Sequence, residues 1–235
     1  MTDQSTSIAA NIEQVRERIA QAAERAGRRA DEITLVGVSK TFPAEAIREA
    51  FAAGVRHFGE NRIQEWESKR AALADLPVML HFIGHLQSNK ARRAAHLCGR
   101  VDSVDSLGLA QKLHTAASEE SKRLPALLEV RMGDEATKSG ASESDLLPLA
   151  EAVVALPNLE LLGVMTIPPY FDDAEEVRPY FRKLRELRDG LSHALKTPLP
   201  VLSMGMSHDF EVAIEEGATE IRVGTGIFGG RDSQE

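Results

Sequence analysis

The sequence is poor in cysteine. Among 235 residues Cys98 stands alone, so no internal disulfide can form and nothing points to an oxidising compartment. Aromatic residues make up only 5%, too few for a base-stacking platform for single-stranded nucleic acid. Positive charge is also short. Lys and Arg number 28 against 36 Asp and Glu, a net charge of −8, which argues against a general nucleic-acid binder. No apolar run approaches the ~20 residues that span a bilayer. Met1-Thr2-Asp3-Gln4 lacks the basic and apolar regions of a signal peptide. The expectation is a cytoplasmic protein without a membrane or nucleic-acid partner. Linker-like, low-complexity and repeated segments are missing as well, so residues 1–235 are read as one domain. Neither a G-x-S-x-G elbow nor a Walker loop occurs.

What is present is a regular alternation. Ile8, Ile12, Val15, Ile19, Ala22 and Ala26 recur at helical spacing, and Gly27 is the predicted stop. Strands are predicted at 33–38, 55–58, 78–83, 100–104, 126–130, 159–164, 200–203 and 220–223, with helices between them. The clearest of these helices carries Val177, Tyr180, Phe181, Leu184, Leu187 and Leu191 on one side. Eight strand–helix units after a leading helix predict an α/β fold: a single (β/α)8 TIM-type barrel with an extra N-terminal helix. An open doubly wound sheet is the alternative.

In such a barrel the chemistry sits at the carboxyl ends of the strands. Lys40 directly follows the apolar strand Leu35–Val38, where its amine can attack a carbonyl to form a Schiff base; a snorkelling lysine fits the same position. Gly205-Met206-Ser207 leads into a helix predicted to begin near His208-Asp209. Gly224-Thr225-Gly226 follows the last strand. Together they suggest a phosphate cradle, although an N-cap serine and ordinary turn glycines read alike. Gly224 to Gly229 also fits G-x-G-x-x-G, but no βαβ unit follows it, so a dinucleotide site is rejected. Arg222 is expected to point into the barrel and needs an acceptor. Candidates are a carboxylate, a phosphate, a heteroaromatic nitrogen, or a structural ion pair with Glu129 or Glu220. His81 and His85 fall on a strand and its loop, where their spacing implies no zinc site. Cys98 reads as core. Arg182, Lys183 and Arg188 read as a solvated helix face.

Several segments, in order and at fitting distances, resemble the pyridoxal phosphate homeostasis protein family. They are Val36 to Thr41, Phe58 to Asn61, His81 to Lys90, Gly163 to Thr166, Leu202 to Asp209 and Arg222 to Gly229. The resemblance runs from about residue 8 to 231. It implies a barrel similar to the N-terminal domain of bacterial alanine racemase, holding pyridoxal 5′-phosphate as a Schiff base on Lys40. It further implies a cofactor site of Lys40, Asn61, Met204, Ser207, Arg222, Gly224 and Thr225, with Arg222 facing the pyridine nitrogen. The implied role is a carrier or regulator of intracellular vitamin B6 without strong catalytic activity, with apo forms of pyridoxal phosphate enzymes as recipients, and the chain a monomer. Lys138 matches a family motif and is a candidate transient acceptor. A fold-type III enzyme, such as a weak amino-acid racemase, is the alternative. Against it, the chain ends at Glu235 with no room for a second domain, and Tyr170 and Tyr180 match no catalytic position. A Schiff-base aldolase is a third reading.

Overall fold

The computed structural model of the chain describes residues 7–133 and 139–230. Eight parallel strands close into a ring in chain order. They are β1 Thr34–Val38, β2 His57–Glu60, β3 Met79–Phe82, β4 Arg100–Val104, β5 Leu124–Glu129, β6 Leu159–Met165, β7 Val201–Ser203 and β8 Glu220–Val223. Closure comes from β8 lying beside β1, with Thr34 opposite Glu220 and Gly37 opposite Val223. The open doubly wound alternative is therefore excluded. After the leading helix α1 Ile8–Arg25, one helix follows each strand. These are α2 Ala44–Ala52, α3 Ile63–Arg70, α4 Ala91–Leu97, α5 Leu107–Glu119, α6 Glu143–Val154, α7 Arg178–Leu195, α8 Phe210–Glu215 and α9 Thr225–Phe228.

The strands match the sequence reading to within a residue or two. β2 begins two residues later than periodicity predicts. The Val55 amide is spent on the Ala50 carbonyl at the end of α2, so pairing starts only at His57 opposite Val36. β4 and β8 have the predicted bounds.

α1 buries Ile12, Val15, Ile19, Ala22 and Ala23 on one face. It ends in a Schellman motif: the Gly27 amide donates to the Glu24 carbonyl and the Arg28 amide to the Ala23 carbonyl. Gly27 sits at φ +66°, which glycine adopts without steric cost. The helix then packs across α8 and α9 rather than standing apart. Arg18 pairs with Glu211 at 2.6 Å, Asn11 donates to the Ile227 carbonyl at 2.9 Å, and Arg28 caps the Ile214 and Ala218 carbonyls.

The basic run on α7 is not a merely solvated face. Arg178 and Arg182 pair with Glu216, and Arg185 donates to the Glu216 carbonyl at 2.9 Å. The same run therefore joins α7 to the end of α8. Cys98 is buried at the end of α4, and burial pushes its thiol up to about 12, which leaves it inert as a nucleophile at neutral pH.

Most apolar side chains form one layer between strands and helices, including Phe58, Phe181 and Phe210. The barrel interior is different. Val36, Val38, Ile83, Leu127 and Met165 are buried yet lie outside that layer. Toward the amino ends of the strands the interior turns polar. Arg100 donates to both Glu220 oxygens at 2.6 Å, to Asp102 at 2.6 and 2.8 Å, and to His81 Nδ1 at 2.8 Å. His81 Nε2 lies 2.9 Å from His57 Nδ1. His81, Asp102 and Glu220 have ligand atoms close enough to hold a cation, and the Arg100 guanidinium lies among them. Burial opposes ionisation of Asp102, but Arg100 and His81 outweigh it and hold that carboxyl well below the ordinary range.

Candidate functional site

The carboxyl ends of β1, β2, β7 and β8 converge on one side of the barrel mouth. β1 lies between β2 and β8, with Val38 opposite Gly59 and Gly37 opposite Val223. Lys40 and Asn61 therefore leave neighbouring strands at one level, beside Gly224. Lys40 is half-buried. Asn61 is fixed from behind by Gly84: a Cβ there would come within 2.7 Å of the Asn61 Cβ and carbonyl.

The backbone changes direction immediately after Lys40. Thr41 stands at φ +71°, a left-handed conformation that is an outlier for a β-branched residue. Its hydroxyl turns back onto the Lys40 carbonyl at 2.5 Å, and its amide donates to Glu65 on α3. A buried ion cluster holds the turn. The Lys69 ammonium donates to the Ser39 carbonyl at 2.9 Å and to Glu60 and Glu65 at 2.8 Å each. The Ser39 hydroxyl adds a 2.8 Å bond to Glu60. Burial pushes the Glu60 carboxyl above its ordinary value, against the opposing pull of Lys69 and Ser39. Sequence reading missed this support. Glu60 and Lys69 meet only because α3 folds back over the end of β2.

The second feature is the cradle. The Ser207 hydroxyl accepts from the Gly224 and Gly226 amides, each at 3.2 Å. Both bonds are at the long end of the normal range. Both amides so converge on the Ser207 oxygen, and an anionic oxygen bound beside it would compete for them and take the hydroxyl proton, with shorter, charge-assisted bonds. Thr225, exposed at the start of α9, stands between the two glycines. The loop before Ser207 is closely fitted. Gly205 has φ +92°, and a Cβ there would meet the Ala213 Cβ at 2.6 Å and the Phe210 Cα at 2.9 Å. The Asp209 side chain accepts from the Met206 amide at 2.6 Å. α8 begins at Phe210, just past the expected His208-Asp209 start, and has only six residues; the donors seen at this site are the glycine amides of the β8 loop. α1 backs the cradle through Asn11, and Arg18 reaches the Ser207 carbonyl at 3.5 Å.

Arg222 points inward and is buried. It donates to the Ser203 hydroxyl at 2.8 Å and the Thr166 carbonyl at 2.7 Å. No ion pair joins it to Glu129 or Glu220 among the described residues; both Glu220 oxygens are taken by Arg100. Burial draws the guanidinium below its ordinary value, with Glu220, Asp102, Asp209 and Glu129 opposing, and it remains a cation. The Met204 side chain belongs to the apolar layer behind the sheet, so only its main chain can face the mouth. Tyr170 is 74% exposed, 5.6 Å from the His208 ring, and Tyr180 lies on α7 against Phe171. Lys138 lies outside the described residues.

A strand-end lysine beside an anion cradle, on a closed (β/α)8 barrel, places the chain in a known class. The family described as alanine racemase, N-terminal domain, matches residues 6–232. Within that class, the chain belongs to the pyridoxal phosphate homeostasis protein family. It is 50% identical over 223 residues to the pyridoxal phosphate homeostasis protein of Aquifex aeolicus, covering 94% of this chain and 96% of that one. PipY of Synechococcus elongatus, solved with PLP bound, is 39% identical with a TM-score of 0.84, over 95% of this chain and all of that chain. An alanine racemase of Clostridium difficile shares the fold at 16% identity and a TM-score of 0.69, over 93% of this chain and 57% of that one.

Proposed function

We propose that the chain binds pyridoxal 5′-phosphate, linked to Lys40 as a Schiff base, and serves vitamin B6 homeostasis as a carrier or regulator rather than as a strong catalyst. The observation that carries this reading is the convergence of the Gly224 and Gly226 amides on Ser207 Oγ just past β8, the strand paired with β1, which leads to Lys40. The name of the Aquifex relative and the cofactor in PipY support it.

The residues fit the group. Ser207, Gly224 and Thr225 would hold the phosphate, and Asn61 and the main chain of Met204 would border it. When bound, the group supplies a carbonyl that condenses with an amine. Lys40 provides that amine, and the turn at Thr41 fixes where it emerges. Arg222 supplies a fixed donor two residues before the cradle. A guanidinium donates only, so facing a pyridine nitrogen it leaves that nitrogen unprotonated and weakens the ring as an electron sink. Broad carbanion chemistry is disfavoured for that reason, and two-base racemisation would also need a second acid/base, which neither the exposed Tyr170 nor Tyr180 on α7 supplies. Recipients would be apo enzymes that use the same cofactor, and the protein would act as a monomer in the cytoplasm.

The test is an absorption spectrum with added pyridoxal phosphate, followed by borohydride reduction and peptide mapping. A yellow protein whose adduct maps to Lys40 is expected, and Lys40→Ala should lose the adduct while keeping its circular dichroism. A colourless wild-type protein, or an adduct at the mouth of the Lys40→Ala variant, would overturn the reading. Chiral assay against a panel of amino acids separates the carrier from a weak racemase.

A further inference from the structure

The mouth wall away from Lys40 carries charge that the cradle does not use. Glu129 closes β5 and is only 6% exposed. Its Oε2 is buried without a hydrogen-bond partner among the described residues. By strand alternation it shares the inward side of β5 with Leu127, which lies outside the helix-side apolar layer. In an eight-stranded ring β5 stands across from β1, so Glu129 faces the Lys40 side. Val104 lies opposite Leu128, so Asp105, the next residue past β4, stands beside Glu129; burial and its negative charge push the Glu129 carboxyl up to about 7. Arg222 is the cation opposing them, and its hydrogen bonds go to Ser203 and Thr166. His85 lies 3.5 Å from Asp105 on the outer side.

A buried carboxyl with an empty acceptor beside a second acid calls for a cation with several donors. Metal ions want more oxygen ligands than two side chains offer. A primary ammonium brings one positive charge and three N–H donors.

We propose that Glu129 and Asp105 form a subsite for a primary ammonium group on the mouth wall opposite Lys40. Its role rests on the cofactor reading above: an amine seated there is the group that competes with Lys40 for the carbonyl. As an ammonium it is no nucleophile. The Glu129 carboxylate takes one proton from it, an N–H bond breaking as an O–H bond forms, and both partners become neutral.

The test uses the full-length protein without cofactor, its glutamate carboxyls labelled with carbon-13 for magnetic resonance. Glu129 is assigned by the signal missing from Glu129→Gln. Propylammonium chloride should lower the Glu129 titration midpoint by half a pH unit or more in a saturable way. Propanol, and sodium chloride at equal ionic strength, should not. Asp105→Asn should weaken the propylammonium effect, which keeps the test open if Glu129→Gln folds poorly. In loaded protein, propylamine should displace the cofactor at least tenfold more slowly from Glu129→Gln at pH 7. That gap should close near pH ~10, where the amine is already free. A midpoint unmoved by propylammonium, or moved equally by sodium chloride, overturns the subsite. Failure of the Lys40 adduct would instead remove the cofactor reading and leave the ammonium titration to be judged by itself.

Discussion

Single residues set the chemistry of the mouth. Thr41 carries the sharpest local departure, a β-branched residue at φ +71° directly after Lys40. Such conformations cost ~1–3 kcal/mol and persist where neighbours over-determine them. Here Glu65 and Lys69 do so. Thr41→Gly should therefore raise stability, by about 1 kcal/mol after the added unfolded-state freedom of glycine is subtracted. Urea unfolding measures it, and a loss of stability would show that the turn is unstrained. Glu129 makes a pH-dependent prediction. Its folded value of about 7 lies above the unfolded carboxyl value, so the folded state holds the proton more tightly. The penalty is absent below the unfolded value, grows as pH rises toward 7 and is complete above it. Glu129→Gln should match wild type near pH 4 and exceed it at pH 8, by up to about 3 kcal/mol. Chemical denaturation at the two pH values decides. Lys40 was legible in the sequence because an apolar strand ends just before it. The strain at Thr41 was not, since α3 imposes it from elsewhere in the chain.

At the scale of elements, the legible part was periodicity. The apolar stripe of α1 and its Gly27 stop are local patterns, and the structure contains both. Gly27→Ala should cost about 1 kcal/mol through the left-handed position of the Schellman motif, measured as a lowered thermal midpoint. What α1 is for was not legible. It braces α8 and α9, the two helices that follow the cradle strands, through Asn11 and Arg18, and Arg28 just past its end joins them. The α7 run misled for a related reason. Arginines spaced along a helix look alike whether they face water or Glu216, and only the packing of α7 on α8 distinguishes them. The helix expected to begin near His208-Asp209 starts at Phe210 with Asp209 as its N-cap residue, the Asp209 side chain accepting from the Met206 amide.

For the molecule as a whole, the barrel has two unlike ends. The carboxyl end carries the lysine, the cradle and Arg222. The amino end is closed by Arg100 among Asp102, Glu220 and His81. Removing one partner from a buried ionic cluster strands the others, which costs ~3–5 kcal/mol. Arg100→Met should lower stability by that amount, and a change under 1 kcal/mol in urea unfolding would show that the cluster is solvated or self-compensating. This cluster also decides the environment of Arg222: with Glu220 engaged by Arg100, Arg222 is left to Ser203 and Thr166.

The sequence by itself determined the alternation of strands and helices, the closing count of eight, and the loops that hold the polar residues. Hydrophobic period and turn residues act locally and can be read one segment at a time. Tertiary structure alone decided which inward charges pair, which stay unpaired, and which way the backbone turns after Lys40. Those outcomes depend on distances between residues far apart in the chain, fixed only when β8 closes against β1.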